Sequence, residues 1–172
     1  MFFRVFFLCF FLIFLSSLSF GFERIGISLE LSPSWNLLNS TPDTLYLSCS
    51  DNSTAKISRV NLSELRSVKM LAKERRSTLF KSFQVLLARP GTLAENKKAN
   101  SNELFIVVYS NKNPDEKIGE EILAEYIYLY GTKYYIIDLK TPKNEWQKVQ
   151  PSWKNMIDTF KISTPRFPIL DK

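Results

Sequence analysis

Histidine is absent from this 172-residue sequence, and cysteine occurs only twice, at Cys9 and Cys49. Without histidine the chain has no Ser-His-Asp triad, no Cys-His dyad and no histidine-assisted zinc centre. The five glycines are too scattered to form a phosphate-binding loop. These absences remove the commonest catalytic classes, and we expect a protein that is not an enzyme and has no cofactor and no metal site.

The one long apolar run lies at the N-terminus. Arg4 precedes an apolar stretch from Val5 to Leu15, and the small residues Ser19 and Gly21 follow. This pattern predicts a secretory signal peptide over residues 1–21, cleaved after Gly21, and therefore a periplasmic or secreted protein. The alternative is an uncleaved N-terminal anchor. Cleavage leaves Cys49 as the single cysteine, so we expect no intramolecular disulfide and a buried, apolar role for Cys49.

The remainder is of single-domain length, and we expect one α+β domain over residues 22–163 and an extended tail over 164–172. The formal net charge of +6 favours an anionic partner, either a protein or a membrane surface. A nucleic-acid partner is not expected, because no aromatic residues are interleaved with the basic strip described below. The sequence leaves the oligomeric state open.

Alternating apolar residues predict seven strands. They cover Ile25–Leu31, Thr44–Ser50, Ala55–Leu62, Phe83–Ala88, Leu104–Tyr109, Glu121–Tyr130 and Lys133–Leu139. Helical spacing of Leu65, Val68, Ala72 and Leu79 predicts a helix over 63–77 with Ser63 as its N-cap. The polar segment 92–102 is predicted to be a mobile surface loop.

The last two strands are joined by Gly131-Thr132, which suits a type II′ hairpin turn. That turn pairs Tyr128 with Tyr135 and makes both hairpin faces apolar, so helices should cover both sides. A second apolar stripe predicts the helix that covers the other face of the sheet. The stripe consists of Trp146, Val149, Trp153, Met156 and Phe160. Pro151 should kink this helix or split it in two. The predicted fold is an antiparallel sheet of about six or seven strands flanked by helices on both faces.

The order of elements and two segments resemble the PsbP/DcrB-type superfamily of small exported proteins. The first segment is the strand and tryptophan of 25–35. The second comprises 128–137 and 153–162, which ends in Thr159-Phe160-Lys161-Ile162. The resemblance implies an α/β/α sandwich and a role in binding or assembly. It transfers no site residues.

Two groups of side chains are candidate sites. A possible partner surface is the basic strip, which we define as Arg66, Lys69, Lys73 and Arg76 and which recurs at helical spacing. A possible ligand lining is the aromatic set, which we define as Tyr126, Tyr128, Tyr135, Trp146 and Trp153. The ordinary interpretations are a solvated helix face for the first and sheet core for the second.

The densest acidic segment contains Asp115, Glu116, Glu120, Glu121 and Glu125. It can supply carboxylates for a hard cation or for acid-base chemistry, but its spacing is not that of a calcium loop, and a solvated segment is the simpler interpretation. The hairpin register places Glu125 opposite Asp138. We expect that pair to lie at a solvated edge or beside a neutralising lysine.

Together these observations predict an exported, non-catalytic binding or assembly accessory protein of the bacterial envelope. The alternative is a carrier of a small apolar ligand held between the tyrosine-rich hairpin and the C-terminal helix. Three Asn-X-Ser/Thr sequons matter only in a glycosylating host; they are at Asn39, Asn52 and Asn61.

Overall fold

A computed structural model describes residues 25–49, 52–79, 83–112 and 119–163. Seven strands form one antiparallel sheet in the order β2-β3-β4-β8-β7-β6-β5. Their bounds are β2 Trp35–Ser40, β3 Thr44–Cys49, β4 Thr54–Asn61, β5 Phe83–Pro90, β6 Glu103–Lys112, β7 Glu120–Tyr130 and β8 Lys133–Pro142. A separate pair joins β1, Ile27–Ser28, to β9, Lys161–Ile162. No helix in these ranges is long and apolar enough to cross a membrane.

The β7–β8 hairpin has the predicted register. Tyr128 pairs with Tyr135, and Ile127 pairs with Ile136. Gly131 has a φ of 58°, which the first central position of a type II′ turn requires and which glycine adopts without a steric cost. The turn therefore fixes which residues of both strands face each side of the sheet.

Helix α1, Val68–Leu79, covers one face of the sheet. Val68, Leu71 and Ala72 are buried against β6, β7 and β8. The predicted start at Ser63 is wrong, because the Oγ of Ser67 accepts a hydrogen bond from the N–H of Met70 at 3.3 Å and caps the helix there. Leu65 consequently precedes the helix and is 64% exposed.

Helix α3, Trp146–Thr159, covers the opposite face, directly after a 3-10 turn at Lys143–Glu145. Its buried residues are Val149, Trp153 and Met156, as the stripe predicted. Pro151 does not split the helix. Proline has no backbone N–H, so the carbonyl one turn before Pro151 loses its hydrogen bond within the helix. The Pro151 side chain is exposed, so this carbonyl lies on the side of the helix that water can reach. Helices on both faces confirm the predicted α+β sandwich.

The predicted loop over 92–102 is wrong, because it contains helix α2, Leu93–Ala99. The Oγ1 of Thr92 accepts the N–H of Glu95, and a Glu95 carboxylate oxygen accepts the N–H of Thr92, which completes a capping box. Asn100 ends the helix in the left-handed conformation with a φ of 56°, and its side-chain amide donates to the carbonyl of Ile162. Ala99 is buried against the α3 side of the sheet.

Two other predictions differ from the structure. The strand expected at 25–31 is reduced to β1, although Ile25 and Ile27 are buried. Strand β2 was not predicted, because only Trp35 of its six residues is buried and no alternation marks it. Three predicted segments lie outside the described residues: the signal peptide over 1–21, the turn after Lys112 that contains Asp115 and Glu116, and the tail over 164–172. The domain bounds therefore remain a prediction.

A buried charge cluster under the basic helix

The predicted pair of Glu125 and Asp138 is neutralised by an arginine that the sequence did not single out. Arg75 on α1 donates its Nε–H to Glu125 Oε1 at 3.0 Å and its Nη2 to both oxygens of Asp138 at 2.8 and 3.0 Å. The Glu125 side chain is only 2% exposed. The expectation of a solvated edge or a lysine is therefore wrong. An arginine suits the position because its fork can donate to two carboxylates at once.

Burial dominates the electrostatics of this cluster. It raises the pKa of Glu125 to about 7; Arg75 acts against that rise and Asp138 adds to it. Burial alone would lower the pKa of the Arg75 guanidinium, but the charges of Asp138 and Glu125 outweigh it and the pKa is raised. The neighbouring Tyr109 is buried in the same face, and burial raises the pKa of its phenol. The cluster thus joins α1 to strands β7 and β8.

The structure divides the basic strip into two kinds of residue. Arg66 precedes α1, and its Nη1 donates to both carboxylate oxygens of Glu74 at 2.9 and 2.8 Å. Arg76 is half-buried beside the sheet. Lys69 and Lys73 are exposed, and neither forms an ion pair with a described residue. Met70 lies between them on the outer side of the helix and is 63% exposed.

A small pocket of about 290 Å³ lies at the N-terminus of α1. Val68 and Lys69 line it from the helix, Pro90 from the end of β5, and Phe105 from β6. Glu103 also borders it and accepts the N–H of Val68 at 3.5 Å. This pocket shows that Lys69 lies on the side of α1 that faces β5.

The aromatic set lies on the α3 face, in or against the core cluster of that face. Trp153 is 2% exposed, with Trp35 at 6.2 Å and Tyr126 at 5.9 Å between ring centroids. Trp35 also donates its Nε1–H to Ser152 Oγ at 3.0 Å. Tyr128 packs against Phe160 at 4.8 Å. The pocket at the start of α1 is lined by none of the aromatic set.

The acidic segment does not gather into one site in the part of the chain that is described. Glu120 pairs with Lys143, Glu121 with Lys140 at 2.9 Å, and Glu125 with Arg75. No group of three or more cysteine or acidic residues within these ranges is arranged to hold a metal ion. What the arrangement provides chemically is a positively charged helix surface, held in place by a buried ion cluster.

The architecture defines the class of fold. Solved structures of PsbP and Mog1 share this antiparallel sheet between helices, and the resemblance to PsbP-type proteins is confirmed at the level of the fold. No family model matches the sequence. No curated protein matches it at a significant level either.

Solved structures supply three particular likenesses. The Ran-binding protein Mog1p of Saccharomyces cerevisiae has a TM-score of 0.55 at 9% identity, over 80% of this chain and 90% of that chain. LpqN of Mycobacterium tuberculosis, involved in cell envelope biogenesis, has a TM-score of 0.55 at 14% identity, over 80% and 83%. Cyanobacterial PsbP from Synechocystis sp. PCC 6803 has a TM-score of 0.52 at 9% identity, over 81% and 88%.

Proposed function

We propose that this chain is an exported, non-catalytic binding or assembly accessory protein of the bacterial envelope. The observation that carries the proposal is the pair of exposed, uncompensated lysines, Lys69 and Lys73, on a helix that Arg75 fixes to the sheet. Their charge favours an acidic partner surface. A positioned helix presents them at low entropic cost, since the backbone does not have to become ordered on binding.

The comparisons support a binding role without naming the partner. One neighbour is a Ran-binding protein and another is involved in cell envelope biogenesis. The predicted signal peptide supports the same compartment for this chain. We propose a protein as the partner in preference to an anionic membrane, because Met70 between the lysines adds an apolar contact that a specific protein interface can use.

Charge reversal tests the surface. We expect the Lys69→Glu/Lys73→Glu variant to recover its protein partner from native envelope extracts at least about tenfold less well, because like charges across an interface are strongly unfavourable. Unfolding free energy should change by no more than about 0.5 kcal/mol, since both side chains are exposed.

The matched control is Lys97→Glu/Lys161→Glu, which changes the same total charge at two other exposed positions. Equal recovery by the two variants would show that α1 is not the interface. Mass spectrometry of the native protein should give Phe22 as its first residue, whereas a chain that begins at Met1 would contradict export by cleavage.

A further inference from the structure

Strand β5 is an end strand of the seven-stranded sheet. Its inner side pairs with β6, and no described strand pairs with its outer side. Val85, Leu86 and Leu87 are 41%, 50% and 43% exposed, although they are consecutive apolar residues of a strand. The unpaired N–H and C=O groups of such an edge are a template for another extended chain.

The edge lacks the charges that usually prevent such pairing. From Phe83 to Ala88 the strand contains no charged residue, and Arg89 is already paired with Glu95 at 2.7 Å. The opposite edge, β2, also exposes Leu37 and Leu38 but carries Asn or Ser at its other exposed positions. Each edge strand has one bulge, which lies between Leu37 and Asn39 in β2 and between Val85 and Leu87 in β5. Strand β5 is therefore the more apolar and the longer of the two edges.

One exposed lysine of α1, Lys69, lies near an end of this edge. Lys69 lines the same pocket as Pro90, the last residue of β5. At the other end of the helix, the charge of Arg76 acts on Tyr109, the β6 residue that pairs with Val85. Lys73 lies between them on the same side of the helix by the helical repeat. The flank of α1 that carries Lys69 and Lys73 therefore faces the β5 side of the sheet, while the helix itself packs on β6 and β7.

We propose that β5 binds an extended peptide of a partner protein, whose side chains alternate between acidic and apolar, by adding it as an eighth strand. An added strand lies about 4.8 Å beyond β5, with alternate side chains on the two faces. Acidic side chains on the α1 face meet Lys69 and Lys73, and apolar ones meet Leu87 on the α3 face. The inference rests on the proposed function and specifies the chemistry of the partner.

The choice of occupant follows from charge. A second copy of β5 brings no acidic residue to the two lysines, because its apolar segment is uncharged and is followed by Arg89. An acidic strand can hydrogen-bond to the unpaired backbone groups of β5 and also supply carboxylates to Lys69 and Lys73. A dimer through β5 is therefore an outcome that contradicts the proposal.

Four capped eight-residue peptides provide the test. The first alternates glutamate and valine, and the second alternates lysine and valine. The other two are the first peptide with N-methyl groups on the four amides of one edge or on the four amides of the opposite edge. Fluorescence anisotropy measures binding, and amide hydrogen exchange locates it. We expect the first peptide to bind at least about tenfold more tightly than the lysine peptide and than the form methylated on the edge that faces β5, and to protect amides of β5, because strand addition needs free amides on that edge and the lysines need carboxylates.

Two single variants make a matched pair. Leu86→Glu and Leu38→Glu each add one negative charge to an exposed leucine of an edge strand, on β5 and β2 respectively. We expect Leu86→Glu alone to weaken binding of the first peptide, by about tenfold. Circular dichroism of both variants checks that the fold is retained.

Several results would overturn strand addition: no binding of the glutamate peptide, binding of both N-methylated forms as tight as that of the unmethylated peptide, protection of β2 in place of β5, or a concentration-dependent dimer that blocks the peptide. If one of these occurs while Lys69→Glu/Lys73→Glu still loses its native partner, the proposed function stands and only the binding mode is wrong.

Discussion

The two faces of the central sheet are made by alternate residues of the same strands, yet different forces hold their helices. On the α3 face, Tyr126 and Tyr128 of β7 pack with Trp153 in an aromatic layer. On the α1 face, Glu125 of the same strand is joined by a hydrogen-bonded ion pair to Arg75. Aromatic packing contributes stability through buried area, whereas a buried ion cluster mainly fixes geometry, because desolvation offsets most of its attraction.

This difference has a functional meaning. The α3 face is closed by packing, and the two exposed lysines of its helix, Lys148 and Lys154, are ion-paired. The α1 face is the one that carries uncompensated Lys69 and Lys73 at its surface. The charge cluster beneath them holds the helix in one register, so the two lysines occupy defined positions on the flank of α1 that faces the β5 side of the sheet. Substitutions in the aromatic layer on the α3 face should therefore mainly lower the free energy of unfolding. Substitutions in the charge cluster on the α1 face should mainly change the position of α1 and its lysines.

The largest effect should come from the aromatic layer. Trp153→Ala removes a side chain that is 2% exposed and leaves a cavity beside Trp35 and Tyr126, and we expect a loss of about 3 to 5 kcal/mol of unfolding free energy. Urea denaturation followed by circular dichroism measures it. Trp146→Ala is the control, because Trp146 is only partly buried and should cost clearly less. Equal losses would contradict a packed aromatic layer.

A smaller loss should follow from removing the cation of the cluster. Arg75→Met leaves Glu125 buried without its partner, and we expect a loss of about 2 to 3 kcal/mol, below the range for a fully buried pair because Arg75 and Asp138 are partly exposed. Arg59→Met is the control, since Arg59 pairs with the exposed Asp43 and should cost at most about 1 kcal/mol.

At a pH high enough to ionise Glu125, adding Glu125→Gln to Arg75→Met should recover part of the loss, because the uncompensated buried charge is then removed. An Arg75→Met variant as stable as Arg59→Met would show that the cluster does not hold α1. Peptide binding at β5 should fall with Arg75→Met more than with Trp153→Ala when both are measured well below their unfolding transitions.

The third effect is a pH dependence. Burial raises the pKa of Glu125 from 4.5 to about 7, so between these values the folded state holds a proton that the unfolded state releases. The contribution of Glu125 to stability therefore falls as pH rises through this window. We expect the stability of the unmodified protein relative to Glu125→Gln to decrease from pH 4.5 to 7 and to level off above.

Glu95 provides the opposite case as a control. The hydrogen bond from Arg89 is the largest cause that lowers its pKa, to about 2, so its contribution is lost only as pH falls from 4.5 towards 2. The difference between the unmodified protein and Glu95→Gln should be flat from pH 5 to 8. A stability difference for Glu125→Gln that rises with pH would mean that Arg75 outweighs burial.

The sequence predicts the sheet hairpin and the α3 stripe well, because both depend on strong local patterns. Gly131-Thr132 sets the β7–β8 register, and the spacing of Val149, Trp153 and Met156 survives Pro151. Strand β2 has no such pattern, since its side chains after Trp35 are exposed. Helix α2 buries little, but the Thr92-x-x-Glu95 capping box was a readable signal for it.

The charge cluster shows a different limit. The register placed Glu125 opposite Asp138, but it could not say which cation covers them, because that depends on where α1 crosses the sheet. A signal did exist: Arg75 falls on the buried stripe with Val68, Leu71 and Ala72. A charged residue at a stripe position indicates a buried counter-ion. The exposure of β5 likewise follows from tertiary placement alone, since its sequence is that of an interior strand.

The small β1–β9 sheet has a consequence for the order of folding. The nearby hydrogen bond from the Glu30 N–H to Thr159 Oγ1 joins residues 129 positions apart in sequence. Closing so long a loop costs entropy that a two-residue pairing cannot offset, so the pairing is stable only after the large sheet and α3 have brought the chain ends together. The β1–β9 ladder is thus a late contact, and its amide protons report the completion of folding.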